Sequence, residues 1–363
     1  MFNEEKLVKD DLINSTSAKS GNNKVRNSAY AAQIFIFLGG LALLVYLIYS
    51  LGAESVAQTI SSIGWGFLLI VLINFSRHVL RALCIYLAID SKHRTISFRS
   101  VLAARLAGET VSILTFTGPF LGDATKVALM KNRLTLAHSA SAVIIDDILY
   151  YLSVGFVILT GIGLLILKFG IGTGSLKYAL ILVFGAIALM LLGLFLLVKY
   201  NIKPLSFVLK RLDNRGLLPA FLSRQRRHVL EIETNVFDVY FKRPGTFYSL
   251  LGIGLVTHAI SVTEVYTGLH LLGVRPTFVN SYIIESLTKV INFAFSFVPG
   301  TVGVYEGGNA MILNTLGYTA TIGIALALIR RGAILFWAVW GAFILLYRTA
   351  VRNRTEQPLS SQV

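Results

Sequence analysis

The chain has 363 residues, 55% of them hydrophobic and only 14% charged, where a soluble domain carries about a quarter charged residues. That composition excludes a soluble globular enzyme. The net charge of +15, from 33 Lys and Arg against 18 Asp and Glu, reads as basic cytoplasmic loops that orient helices, not as a nucleic-acid surface. No basic-aromatic module of a nucleic-acid binder accompanies it.

In chain order, residues 1–30 are polar and rich in Asn, Ser and Lys, which predicts a disordered cytoplasmic tail. So long a lead does not suit a cleaved signal peptide, and Ala31 to Ser50 reads as a retained first span. Leu51 to Gly64 carries only Glu54 and fits the outside, and Trp65 to Ile89 returns. Lys92, Arg94 and Arg99 then mark the inside. Ser139 to Leu167, Tyr178 to Val198 and Phe247 to Leu272 follow as spans, with a last one at about Ala320 to Tyr347. Each has about 20 or more mostly apolar residues, the length that crosses roughly 30 Å of hydrocarbon. Residues 199–246 form a basic loop with ten Lys or Arg, predicted cytoplasmic, whose middle suits one or two surface helices. Residues 31–347 are thus a transmembrane domain, and 348–363 a cytoplasmic tail.

Parity makes two segments special. Both ends of Val101 to His138 fall inside, and both ends of Val279 to Tyr318 fall outside. Each is therefore predicted to be a re-entrant hairpin, broken at Gly118, Pro119 and Gly122 in one and at Pro299, Gly300 and Gly303 in the other, with each proline ending a short helix. The fold class is an all-α polytopic membrane protein with inverted-topology repeats, a pattern in which broken helices meet at the bilayer midplane. Charges stand 14 and 10 residues before and 7 after each proline: Arg105, Glu109 and Lys126, then Glu285, Lys289 and Glu306. Every sign is reversed. Arg105 with Glu109, and Glu285 with Lys289, are opposite charges at i, i+4 on one helix face.

Ionisable groups in apolar segments are costly and face a protein interior or a cavity. Arg105, Glu109, Asp123, Lys126, Glu285, Lys289 and Glu306, beside the chain breaks, are the expected substrate-binding residues. Arg77, Arg81, Arg330 and Arg331 read equally as pairs that lock helices together. Asp146 and Asp147 suggest a carboxylate dyad, but adjacent helical residues point about 100° apart. The single cysteine, Cys84, allows no intrachain disulfide. No Cys/His cluster has metal-ligand spacing, so neither a metal nor another cofactor is expected.

The ordered set Gly108-Glu109, Pro119-x-x-Gly122-Asp123-x-x-Lys126, Asp146-Asp147, Pro299-Gly300-x-x-Gly303-x-x-Glu306 and Arg330-Arg331 resembles the lysylphosphatidylglycerol synthase transmembrane, or flippase-like, family. The resemblance covers about Ala31 to Tyr347. It departs in two places: Asp123 directly follows Gly122 where the family commonly has Gly-Glu, and Thr301 follows Gly300 where a second glycine is common. The resemblance implies hairpin residues that line a lipid-headgroup cavity. It also implies movement of a phospholipid or polyprenyl-linked lipid across the membrane. The stretch after Tyr347 is too short for the soluble aminoacyltransferase domain of the full-length synthases, so lysyl transfer is not expected. The expected partners are that lipid, anionic membrane lipids, and either a second copy of the chain or a separate lipid-synthesising enzyme. The expected location is the plasma membrane, with both termini cytoplasmic. An intramembrane lipid-modifying enzyme, or a scaffold acting through the basic loop, are the alternatives.

Overall fold

The computed structural model describes residues 61–115, 118–131, 133–170, 175–200, 202–215, 220–295, 301 and 303–355, with positions 54 and 58. The expected first span, the N-terminal tail, the second half of the C-terminal tail (356–363), Pro299 and Gly300 lie outside the described residues.

The protein is an all-α polytopic membrane protein, with no strand among the described residues. Helices α1 (Gly66–Ala88), α4 (Leu136–Phe169) and α8 (Pro244–Leu271) are long and apolar enough to cross a membrane, as is the Ala320–Arg348 part of α11 (Ala320–Thr355). Helix α5 (Ser175–Lys199) holds the apolar segment Ile181–Leu197. The expected hairpins are pairs of shorter helices. The first is α2 (Phe98–Ile113) with α3 (Gly118–Met130), and the second is α9 (Phe278–Ala294) with α10 (Val304–Thr315). At about 1.5 Å per residue none of the four reaches the roughly 30 Å of a hydrocarbon core. The basic segment forms two helices, α6 (Pro204–Asp213) and α7 (Ala220–Phe241).

Local chemistry sets the helix ends. Thr135 and Thr277 accept the backbone N–H of His138 and Asn280 to start α4 and α9. Between α1 and α2, the Lys92 N–H donates to the Asp90 carboxylate at 2.9 Å and holds its pKa below the usual range. Glu233 of α7 accepts the N–H groups of Leu205 and Ser206, both at 3.0 Å, and closes the start of α6. One sequence expectation needs correcting here. Pro119 does not end the first short helix but stands second in α3, in the first turn, where its missing N–H costs nothing.

Two apolar clusters bracket a polar belt. One joins Ile85 of α1, Val101 and Ala104 of α2, Met130 of α3, Ile145 of α4 and Leu250 of α8. The other joins Leu165 of α4, Leu269 of α8, Ile284 of α9, Leu313 of α10 and Leu326 of α11. Along α8 the buried His258 and Glu264 lie between them. Helix α1 packs against α8, α2 against α11, and α9 against α4, so the hairpins are wedged between long helices.

Candidate functional site

The belt encloses a cavity of about 390 Å³. Helix α1 offers Asn74, Arg77, His78 and Arg81, while α2 and α3 offer Arg105, Glu109, Ser112, Pro119, Asp123 and Lys126. Asp147, Tyr150 and Tyr151 come from α4, and Arg331 and Trp337 from α11. The second hairpin contributes Asn292, Thr301 and Tyr305.

Each charge of the belt meets an opposite one. The expected i, i+4 pairs form, Arg105 with Glu109 at 3.2 Å and Lys289 with Glu285 at 2.8 Å. Lys126 reaches Asp123 at 2.6 Å. Arg81 forks onto Asp146 at 2.6 Å and Asp147 at 2.8 Å, and its guanidinium stacks 3.8 Å over the Tyr150 ring. Both carboxylates of the adjacent pair are thus tied to one arginine. Glu264, fully buried, takes Arg77 at 2.9 Å and Arg330 at 3.4 Å, and Arg330 also bonds Glu285 at 2.8 Å. Arg331 pairs with Glu306 at 2.8 Å.

The expected site residues therefore divide. Arg105, Glu109, Asp123 and Lys126 of the first hairpin line the cavity together. Glu285, Lys289 and Glu306 of the second do not line it. Glu285 is clamped between Lys289 and Arg330, and Lys289 lies 5.9 Å from the Tyr150 ring centroid, behind the wall. Glu306 accepts the Gly303 N–H at 2.8 Å and so caps its own helix. Gly303 begins that turn with φ of +77°, a conformation glycine adopts without strain. Gly122 serves close approach instead: a Cβ there would lie 2.6 Å from the Gly108 carbonyl oxygen, which presses α3 onto α2.

Arg77, Arg81, Asp147 and Arg331 are wall residues outside the expected site set, although each was readable as a buried charge. Tyr150, Tyr151 and Trp337 carried no such signal.

The family model of the lysylphosphatidylglycerol synthase TM region matches residues 30–341. The chain belongs to this family. The match takes in three of the four long helices whole, the fourth from Ala320 to Gly341, and both short pairs, so the cavity lies wholly inside the family domain. No curated protein and no solved structure matches the chain.

Proposed function

We propose that the protein moves a lipid with an anionic phosphate headgroup, a phospholipid or a polyprenyl-linked glycan, across the membrane by way of this cavity. One observation carries the reading. The wall presents five cations, Arg77, Arg81, Arg105, Lys126 and Arg331, against three carboxylates, Glu109, Asp123 and Asp147. Carboxylates behind the wall balance these cations within the protein, and the face turned to the cavity keeps an excess of positive charge that attracts an anion. Arg105 and Lys126 hold the phosphate, the guanidinium through paired N–H donors. Glu109 and Asp123 receive hydroxyl or ammonium groups of the headgroup. A space of about 390 Å³ suits a headgroup and not two acyl chains. The chains stay in the bilayer beside Phe120, 82% exposed next to the wall residue Pro119. Membership of the family supports a membrane-lipid role. The basic α6–α7 segment faces the cytoplasm of a plasma membrane by the positive-inside rule.

The test is a reconstituted flip assay with a headgroup-labelled phospholipid and a membrane-impermeant quencher. Arg105→Gln and Lys126→Gln should each slow transfer about tenfold or more, since a charge-assisted hydrogen bond contributes about 1.5–3 kcal/mol. Their melting temperatures should stay near that of the parent. Transfer at the parent rate in both variants would remove the reading.

A further inference from the structure

A 180-residue step carries the first hairpin onto the second: 105 to 285, 109 to 289, 119 to 299 and 126 to 306. The helix starts obey the same step, since α2 opens at Ser97-Phe98 and α9 at Thr277-Phe278. Helix packing follows it too. As α1 packs on α4 and α11, α8 packs on α11 and α4, and as α2 packs on α11, α9 packs on α4. The two halves differ in one respect. Helix α3 lies mainly along α2 and only lightly against α4, whereas α10 lies mainly along α11 and less against α9. Glycines mark both contacts: Gly108 with Gly122 in the first, and Gly323, where a Cβ would lie 2.6 Å from Ala310 Cα, in the second.

We propose that the protein has a second conformation in which the two halves exchange these arrangements. It rests on the reading that the cavity carries the headgroup. Helix α3 moves from α2 to α4 while α10 moves from α11 to α9, and the cavity then opens to the opposite face, the general route of inverted repeats. Glu285, Lys289 and Glu306 become the wall. The charge reversal gives the exchange its partners. Leaving α11 breaks the pair of Glu306 with Arg331. The counterparts of these two residues are Lys126 and, one helical turn out of the 180-residue step, Asp147. Both already line the cavity, and they pair as α3 reaches α4. One ion pair forms as another breaks: Lys126 already holds Asp123 and Asp147 already holds Arg81, while Glu306 and Arg331 turn to the water of the newly opened cavity.

The probe is Ala327→Cys in a Cys84→Ala chain. Ala327 is fully buried on α11 and lies midway between Gly323 and Arg331, at i, i+4 spacing along the face that meets α10. In vesicles an impermeant thiol reagent should label it from one face only, the face opposite that from which Ser112→Cys labels. Ser112→Cys with Gly122→Cys forms a disulfide that ties α3 to α2, because the two Cβ atoms would stand 3.1 Å apart, a little inside the usual range; the new Cβ at Gly122 also meets the Gly108 carbonyl oxygen at 2.6 Å, so α3 must shift outward by a few tenths of an ångström as the bond closes. Closing it should cut labelling of Ala327→Cys about tenfold or more, and reduction should restore it. Labelling that ignores the disulfide, or none from either face, would overturn the second conformation. The flip assay judges the headgroup reading separately, because flipping without labelling sinks only the exchange. Should the cysteine pair not fold, hydrogen exchange on Glu306→Gln decides. That variant should exchange faster in α10 and more slowly in α3, and an unchanged α3 would refute the coupling.

Discussion

Swapping the charges within each hairpin separates residues that serve the cavity from residues that hold the fold. In the first hairpin, Arg105→Glu with Glu109→Arg keeps an i, i+4 pair. It also puts the acid N-terminal, the order worth a few tenths of a kcal/mol more. Glu109 is 37% exposed in its side chain, so water reaches the new cation. The second hairpin differs. Glu285 and Lys289 are 2% and 9% exposed, and Glu285 also holds Arg330 at 2.8 Å. Glu285→Lys with Lys289→Glu sets a buried lysine against that arginine, which costs about 3–5 kcal/mol, as does removing one partner of a buried pair. At about 2–4 °C per kcal/mol this is a loss of roughly 6–20 °C in melting temperature. The first swap should melt within a few degrees of the parent. The assay is thermal melting of the detergent-purified protein, followed by the flip assay on whatever stays folded. The first swap should fold yet lose transport, because the phosphate loses its guanidinium. Equal melting of the two swaps would refute the division into cavity and scaffold charges.

Three further outcomes follow from named contacts. Glu264→Gln removes the carboxylate shared by Arg77 and Arg330 and should cost about 3–5 kcal/mol, read as lost melting temperature and lower yield; a stable variant would count against the assignment. Glu233→Ala frees the N–H groups that start α6 and should cost about 0.5–2 kcal/mol, seen as faster proteolysis of residues 199–220 with flipping unchanged. Gly108→Val pushes a side chain against Lys126 and the Gly122 carbonyl oxygen, where even a Cβ would lie 2.5 and 2.7 Å away, and should abolish flipping, whereas Gly163→Ala, which meets nothing within 4 Å, should not.

The long helices were legible because their signal is composition, which no tertiary arrangement alters: 20 apolar residues read as a span wherever they pack. The i, i+4 pairs were legible because helical geometry alone brings Arg105 to Glu109 and Glu285 to Lys289. Pro119 was placed one element too early, since a proline marks a boundary without saying on which side of it the helix stands. Glu306 was assigned to the headgroup, but Gly303 to Glu306 also has the spacing of an N-terminal cap, and that cap forms. The remaining wall residues depend on which long helices face each other. That α1 meets α8, bringing Arg77 to Glu264 across 187 positions, is a tertiary fact with no local signature. Tyr150 and Tyr151 carry no charge to betray burial, so only the packing of α4 reveals them.

The belt makes physical sense as a whole. Its seven cations, Arg77, Arg81, Arg105, Lys126, Lys289, Arg330 and Arg331, meet seven carboxylates, Glu109, Asp123, Asp146, Asp147, Glu264, Glu285 and Glu306. Only a neutral set with short contacts can lie at membrane depth without prohibitive desolvation. Neutrality alone, however, would leave no affinity for an anion. On the proposed reading, affinity comes from layering: the wall carries the excess of cations, and Asp146, Glu264, Glu285 and Glu306 stand behind it and hold it in place. Replacing one of those rear carboxylates therefore raises the net positive charge of the belt yet should lower transport, because the cations lose their positions. A variant that gained charge and transported faster would show that field strength, and not placement, governs the site.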